Sequence, residues 1–427
     1  PPRSTLFPYT TLFRSYKITM LQKRYILRYF VILFISAFIF TTCRKDDVPE
    51  YEHFVRNTLA SSYSESYIDA LLSYAGQSYP EIAGLQQHVT TGVNVYKVVY
   101  RTMVGGKRIE ASGLVSIPDV PGEYPVLSFQ NGTNTLNAAC PSEDPGNYMY
   151  QLVEYIASMG FVVVIPDYPG FGSSSDIPHP YLLSEPTVNS ITDMFRAVNE
   201  ATDEFPGVQL KNEYYLIGYS QGGWATMSLH KYLETEAPDE FTLAGTVCGA
   251  GPYDLYHILT GMVSSESYPV PAYLGYIIYA YTFYDYIKNP VNDLLNEPYA
   301  SRLSTLYDGN HTADQINSQL STSIPELVKE DFRTNYSDAK YSSVRNSLVT
   351  NSIEPYNTQI PLLLVHGDAD TQVPVSSTNL FYDKMILAGT SSSVCTKTII
   401  PGLDHGDAIM PCMTRGLEFL IDIRDNK

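Results

Sequence analysis

The sequence predicts an α/β fold: a mostly parallel central sheet with helices on both faces and an inserted helical cap. Short continuous apolar runs at 126–129, 161–165, 214–217, 243–247, 362–365 and 396–400 have the length of strands buried on both faces. Helical stretches at 149–158, 188–202, 222–234, 381–387 and 411–423 alternate with them, the pattern of a sheet covered by helices. Ahead of these, 64–74 has helical spacing, and 95–104 and 108–117 alternate about Gly105-Gly106 as an antiparallel hairpin does. The rhythm breaks once, at 256–357. A structureless loop of about 100 residues does not suit a compact domain, so this segment is expected to be a helical cap inserted into a core of 63–255 and 358–427.

With 427 residues, 44% hydrophobic and 17% charged, the chain has a globular composition and length enough for one large domain with an insertion. Its first residues read differently. Within 1–19, Thr5-Leu6-Phe7 recurs as Thr11-Leu12-Phe13, resembling translated sequencing-adapter read-through, and the stretch is set aside from fold reasoning. Residues 20–42 run from Met20 through Lys23, Arg24 and Arg28 into about 12 apolar residues ending at Phe40, the order of a signal peptide and well short of the roughly 20 of a spanning helix. Cys43 follows and resembles the acylated cysteine of a bacterial lipoprotein. That resemblance implies a lipid anchor at Cys43, a membrane as partner and an outer-membrane or surface location, with simple secretion as the alternative and 43–62 as a linker. Beyond residue 42, 21 Lys and Arg face 45 Asp and Glu, a net charge of −24 that repels polyanions and argues against a nucleic-acid partner. No CxxC or Cys/His spacing suggests zinc, and neither metal nor cofactor is expected.

The chemistry concentrates at Gly218-Tyr219-Ser220-Gln221-Gly222, a GxSxG match entered by an apolar strand and left by a helical stretch. This is the setting of a nucleophile elbow, in which a strained turn exposes a serine and small residues let the backbones pack closely. A serine hydroxyl needs a base to take its proton, so an acid and then a histidine should follow in the chain. After the strand 362–365 comes His366-Gly367-Asp368-Ala369-Asp370-Thr371-Gln372-Val373-Pro374, which resembles the acid loop of many α/β-hydrolases. There the acid lies three positions before Val-Pro, which selects Asp370, leaving Asp368 as a turn former and His366 as structural. His405, in a loop after the last strand, is the only histidine beyond Asp370. The expected site is therefore Ser220, Asp370 and His405, with the backbone amide of Gln221 as one oxyanion donor. The second donor is expected from Gln130-Asn131-Gly132-Thr133, with Thr133 favoured and Gly132 the alternative.

Those motifs, together with Pro166-Asp167-Tyr168-Pro169-Gly170-Phe171-Gly172, the helix carrying Ile191, Asp193, Arg196 and Ala197, Gly223-Trp224 after the elbow and the tyrosine-rich cap, resemble the secretory lipase family over roughly 95–423. The resemblance implies an α/β-hydrolase fold with a helical lid and hydrolysis of carboxylic esters, lipid or small-molecule, with Asp167 and the Asp193/Arg196 pair as anchors. Three other readings compete: an acyl esterase acting on polysaccharides, a prolyl-oligopeptidase-like peptidase, and a non-catalytic surface lipoprotein that binds glycans through its tyrosines. The peptidase reading lacks amino-terminal propeller repeats, and the intact Ser, Asp and His argue against a binding protein. Two further expectations follow. Cys395 and Cys412 flank the His405 loop and are expected to be bridged, closing about 16 intervening residues for roughly 3 kcal/mol. The cap, whose helix at 272–287 carries six tyrosines, is expected to fold over the carboxyl ends of the strands and form much of the substrate pocket.

Overall fold

The computed structural model describes residues 51–426; the segment 1–19, the signal-type run 20–42, Cys43 and the start of the linker lie outside the described residues. A nine-stranded mixed sheet runs through the molecule in the order β1-β2-β3-β5-β4-β6-β7-β8-β9. β1 (Phe54–Tyr63), β2 (Val93–Val104) and β3 (Lys107–Pro118) form an antiparallel wing, β2 and β3 joined at Gly105-Gly106. β3 pairs antiparallel with β5 (Val162–Pro166), and from there the sheet is parallel through β4 (Gly122–Gln130), β6 (Val208–Tyr219), β7 (Leu243–Gly249), β8 (Leu362–Gly367) and β9 (Cys395–Ile400).

The apolar runs are continuous because both faces of the parallel strands are covered. Side chains alternate across a strand, and here the alternation divides the core in two. Val126, Val162, Val164, Leu216, Leu362 and Leu364 join one cluster, which also takes in α3 (Ser184–Glu200), α4 (Gln221–Thr235) and α13 (Ser376–Leu387). Leu127, Val163, Ile165, Ile217, Leu363 and Val365 face the other way. They pack with α1 (Glu65–Ala75), the 3₁₀ segment Pro80–His88, the end of α2 (Tyr148–Glu154) and α14 (Ile409–Asp425). Gly160, at φ 89°, stops the 3₁₀ turn Tyr155–Met159 that prolongs α2 and turns the chain into β5.

Between β7 and β8 the chain forms eight helices: α5 (Leu255–Ser264), α6 (Pro271–Phe283), α7 (Val291–Leu294), α8 (Tyr299–Leu306), α9 (Ala313–Asn317), α10 (Ile324–Leu327), α11 (Glu330–Asn335) and α12 (Ser342–Asn351). Their apolar residues belong to the first cluster, and the described residues pack as one unit from which the insertion does not separate. The tyrosine-rich helix is shorter than its composition suggests. It ends at Phe283, and Asp285 at φ 62° turns Tyr284 and Tyr286 back onto the body of the protein.

Two expectations are corrected. Residues 54–62, read as linker, form with Tyr63 the edge strand β1, paired on one side with β2. Its Arg56, Asn57, Ser61 and Ser62 are the polar residues an edge strand carries against unwanted pairing, which hid it among loop-like sequence. Cys395 and Cys412 are not bridged; with Cys140 and Cys248 they are buried free thiols. Cys395 packs in the first cluster and Cys412 in the second, so the sheet lies between them. Burial pushes both thiols up to about 12, which keeps them protonated and unreactive.

Glu154 is wholly buried at the end of α2, and burial pushes its carboxyl up to about 8, the Tyr63 hydroxyl offsetting part of the shift. Its unfolded value is 4.5, so between pH 4.5 and 8 the folded chain holds the extra proton, and stability falls as pH rises through that window. Glu154→Gln, which cannot ionise, should gain on the parent protein by on the order of a few degrees in melting temperature on going from pH 5 to pH 9. A difference independent of pH would contradict this protonation state.

Candidate active site

β6 delivers Ser220 to the carboxyl edge of the sheet and α4 begins on the next residue. The turn between them leaves Ser220 at φ 59° and ψ −122°, a conformation that a non-glycine residue adopts only under constraint. Packing supplies the constraint. A Cβ on Gly222 would overlap the carbonyl oxygen of Gln130 at the end of β4, and one on Gly218 would strike the Thr226 hydroxyl. The Ser220 N–H donates to the Gly249 carbonyl (2.9 Å), and its own carbonyl accepts from Trp224 N–H (3.2 Å), so the turn is held from both sides.

Ser220 Oγ lies 2.9 Å from His405 Nε2, and His405 Nδ1 lies 2.6 Å from Asp370 Oδ2. All three residues are buried, and they come from the ends of β6, β8 and β9. The Tyr219 hydroxyl donates to the His405 carbonyl (2.8 Å), tying the histidine loop to the residue before the serine. Asp368 is exposed and does not reach His405; its Oδ1 accepts from Gly402 N–H (2.6 Å), which joins the two loops. Asp404 is likewise exposed and caps the turn through the N–H groups of Gly406 and Asp407.

Asp370 is held by more than His405. His366 Nε2 is 3.1 Å from the same carboxylate oxygen, and the N–H groups of Gln372 (2.8 Å) and Val373 (2.9 Å) donate to the other. Burial alone would raise this carboxyl, but the bonds from His366 and His405, the His405 charge and the Val373 amide outweigh it and hold Asp370 well below the usual carboxylate range. His366, expected to be structural, is a direct partner of the acid. The signal was its place at the end of β8, four residues before Asp370.

A second histidine had no such signal. His179 Nδ1 is 2.8 Å from the Pro169 carbonyl, which can only accept, so that nitrogen carries the proton. Burial pushes the imidazole down to about 4, opposed by the Pro169 bond, so His179 is neutral near pH 7 and its Nε2 accepts from the Gln221 side-chain amide at 2.8 Å. Gln221 is the first residue of α4; its backbone N–H has no intrahelical acceptor and lies at the positive end of the helix. Across from it, Asn131, Gly132 and Thr133 line the same cavity as Ser220 and His405. Gly132 lies against the turn, a Cβ there reaching 3.9 Å from Ser220 Cβ, while the Thr133 hydroxyl bonds Tyr181 (2.8 Å). Asp167 is buried between Ser112 Oγ (2.6 Å) and Ser142 N–H (2.8 Å), and Asp193 bonds Arg196 (2.7 Å), so these carboxylates anchor loop and helix away from the serine.

The cavity beside Ser220 has a volume of about 430 Å³, and of the eight inserted helices only α6 reaches it, through Tyr273. The expectation that the cap forms much of this pocket is corrected. Tyr276 stacks between Tyr181 (4.3 Å) and Tyr307 (4.6 Å), and the Tyr281 and Tyr284 hydroxyls donate to the carbonyls of Leu182 (2.7 Å) and Pro178 (2.5 Å). A tyrosine buries its ring and needs a partner for its hydroxyl, and Tyr281 and Tyr284 find that partner in the segment 178–182.

Residues 147–422 match the model of the secretory lipase family. Among curated proteins none matches the chain in sequence. Among solved structures, a protein described as a hydrolase from Legionella pneumophila is 26% identical, with a TM-score of 0.76 over 87% of this chain and 98% of its own. The rice cell wall degrading esterase LipA from Xanthomonas oryzae is 23% identical, with a TM-score of 0.74 over 88% of this chain and 98% of its own. Lipase A from Candida antarctica in its closed state is more distant, at 14% identity and a TM-score of 0.58 over 88% of this chain and 86% of its own. The fold is that of the α/β-hydrolases, and the chain belongs to the secretory lipase family.

Proposed function

We propose that the chain is a serine hydrolase that cleaves carboxylic esters through an acyl-enzyme, with Ser220 as nucleophile, His405 as base and Asp370 as the acid that orients it. The observation that carries this reading is the relay from Ser220 Oγ to His405 (2.9 Å) to Asp370 (2.6 Å) at the amino terminus of a buried helix. His405 Nε2 takes the hydroxyl proton as Oγ attacks the ester carbonyl carbon, and the carbonyl π pair moves onto oxygen. That oxyanion meets the backbone N–H of Gln221 and a second N–H from Thr133 or Gly132. The intermediate collapses, the C–O bond to the alcohol breaks, and the leaving oxygen takes the proton from His405. A water, deprotonated by the same nitrogen, then attacks the acyl carbon and releases the carboxylic acid and Ser220. Asp370 keeps the Nδ1 proton in place and stabilises the imidazolium, and its low affinity for protons keeps it charged throughout.

Export and tethering belong to the same reading. The order of basic residues, apolar run and Cys43 supports a signal peptide followed by lipid attachment, and membership of a secretory family agrees with export. Among the described residues no helix is long and apolar enough to cross a membrane.

Ser220→Ala should lower turnover of nitrophenyl acetate by about 10⁴- to 10⁶-fold while leaving the thermal unfolding curve in place. Near-normal turnover would remove Ser220 from the mechanism. Asp370→Asn should cost about 10⁴-fold in kcat, because the wrong imidazole tautomer then faces Ser220. Asp368→Asn, which alters only a bond between loops, should cost less than about tenfold. Kinetics showing the opposite ranking would mean that Asp368, not Asp370, serves the histidine.

A further inference from the structure

One short segment, 178–182, bonds residues on both sides of Ser220. His179 Nε2 accepts from the Gln221 side-chain amide (2.8 Å), and the hydroxyls of Tyr181 and Thr133 share a hydrogen bond (2.8 Å). Gln221 carries the proposed first oxyanion donor, and Thr133, with Gly132, belongs to the loop proposed for the second. Gln221 lies 42 residues after His179 and Thr133 lies 48 residues before Tyr181, so neither bond follows from nearness in the chain. The hold on Gln221 is singular. The residue is buried, its Oε1 has no partner, and among the described residues the bond to His179 is the only one its side chain makes.

His179 is fixed in turn. Its Nδ1 is committed to the Pro169 carbonyl (2.8 Å), and the rings of Tyr168 and Phe171 pack on it with centroids 5.7 Å and 5.1 Å away. Gly170 permits this approach, since a Cβ there would stand 2.4 Å from the Cα and N of His179. Burial keeps the imidazole neutral, which leaves Nε2 its lone pair for Gln221. From the other side the cap holds the segment: Tyr276 stacks on Tyr181 (4.3 Å) and meets the His179 ring edge-on (5.7 Å), while Tyr281 and Tyr284 bond the carbonyls of Leu182 and Pro178. Leu182 stands at φ 54°, a conformation that leucine keeps only where its surroundings impose it. Polar groups buried among aromatic rings carry a desolvation cost that phenylalanine at 179 or 181 would avoid, so packing alone does not account for them.

We infer that the segment 178–182 is a clamp on the oxyanion site, with His179 and Tyr181 as positioning residues that hold the first turn of α4 and the loop after β4 at the separation a developing oxyanion needs. The inference rests on the serine-hydrolase reading and adds to it two residues and a role for the cap, whose tyrosines act on catalysis through the segment they hold. Donors aimed at an oxyanion work only in the tetrahedral states of the reaction, so loosening them lowers kcat and leaves KM in place. Removal of such a donor costs about 10²- to 10³-fold in kcat, and a displaced donor forfeits part of that.

The test is steady-state kinetics on nitrophenyl acetate beside the inhibition constant of a trifluoromethyl ketone, with thermal unfolding confirming that each variant is folded. In the inhibitor adduct Ser220 Oγ bonds the ketone carbon, its proton passes to His405, and the carbonyl π pair becomes an oxyanion like that of the reaction. His179→Phe, which keeps a ring and loses both nitrogens, should lower kcat by about 10- to 100-fold with KM within about twofold, and should weaken the inhibitor by the same factor as kcat/KM. In a Gln221→Leu background, where no side-chain amide is left to hold, His179→Phe should cost less than about threefold more. Tyr181→Phe, which loses only the hydroxyl, should lower kcat by about three- to tenfold and cost nothing further in a Thr133→Val background; this pair decides the matter if His179→Phe does not fold. A folded variant that keeps the parent kcat, raises KM instead, spares inhibitor binding, or costs as much in the second background as in the parent overturns the clamp and leaves the hydrolase reading standing. If the parent turns over no ester and forms no adduct, both readings fall together.

Discussion

Gly222 lies so close to the end of β4 that the Gln130 carbonyl occupies the place where a side chain would begin. Much of the site follows from that approach. It presses the start of α4 against the loop that carries Asn131, Gly132 and Thr133, residues that line one cavity with Ser220 and His405. It also holds Ser220 in a backbone conformation that serine does not choose for itself, with Oγ directed at His405. The bonds from Ser220 N–H to Gly249 and from the Tyr219 hydroxyl to the His405 carbonyl then fix the neighbouring strand and the histidine loop to the same turn.

The groups around that turn share a second property, which is that each hydrogen bond narrows the choices of the next. Asp370 gathers two ring nitrogens and two backbone N–H groups, and this keeps a buried carboxylate charged against the cost of its burial. His179 does the reverse: burial keeps it neutral, Pro169 fixes its tautomer, and its remaining lone pair positions the side chain of Gln221. One site therefore contains a carboxylate stabilised as an anion and an imidazole stabilised without charge, each by partners that could not be exchanged. Beyond these groups the two faces of the sheet carry different burdens. One supports the cap and its tyrosines, while the other leaves an apolar space between α2 and α14 that opens at the serine.

The parallel strands were legible because burial on both faces writes each as an unbroken apolar run. The elbow was legible because close backbone approach leaves only glycine at 218 and 222, and the order of acid and histidine then picked Asp370 and His405 out of many candidates. β1 was not legible, since a strand paired on one side and largely solvated on the other reads like loop. The partnership of His179 with Gln221 depends on a contact between residues 42 apart that no local pattern encodes. The expected Cys395–Cys412 bridge failed for a related reason: nearness in sequence does not reveal that a sheet stands between the two thiols. The position of the cap was read from chain order, but which face its helices cover is a property of the packed sheet.

The central claim is that the bonds around Ser220 make this one hydroxyl a nucleophile. Reaction with a fluorophosphonate, followed by peptide mapping in a mass spectrometer, tests it most directly. The account predicts one adduct per chain, on Ser220, which disappears when His405 is replaced by alanine. No adduct, or an adduct on another residue that survives His405→Ala, would contradict it.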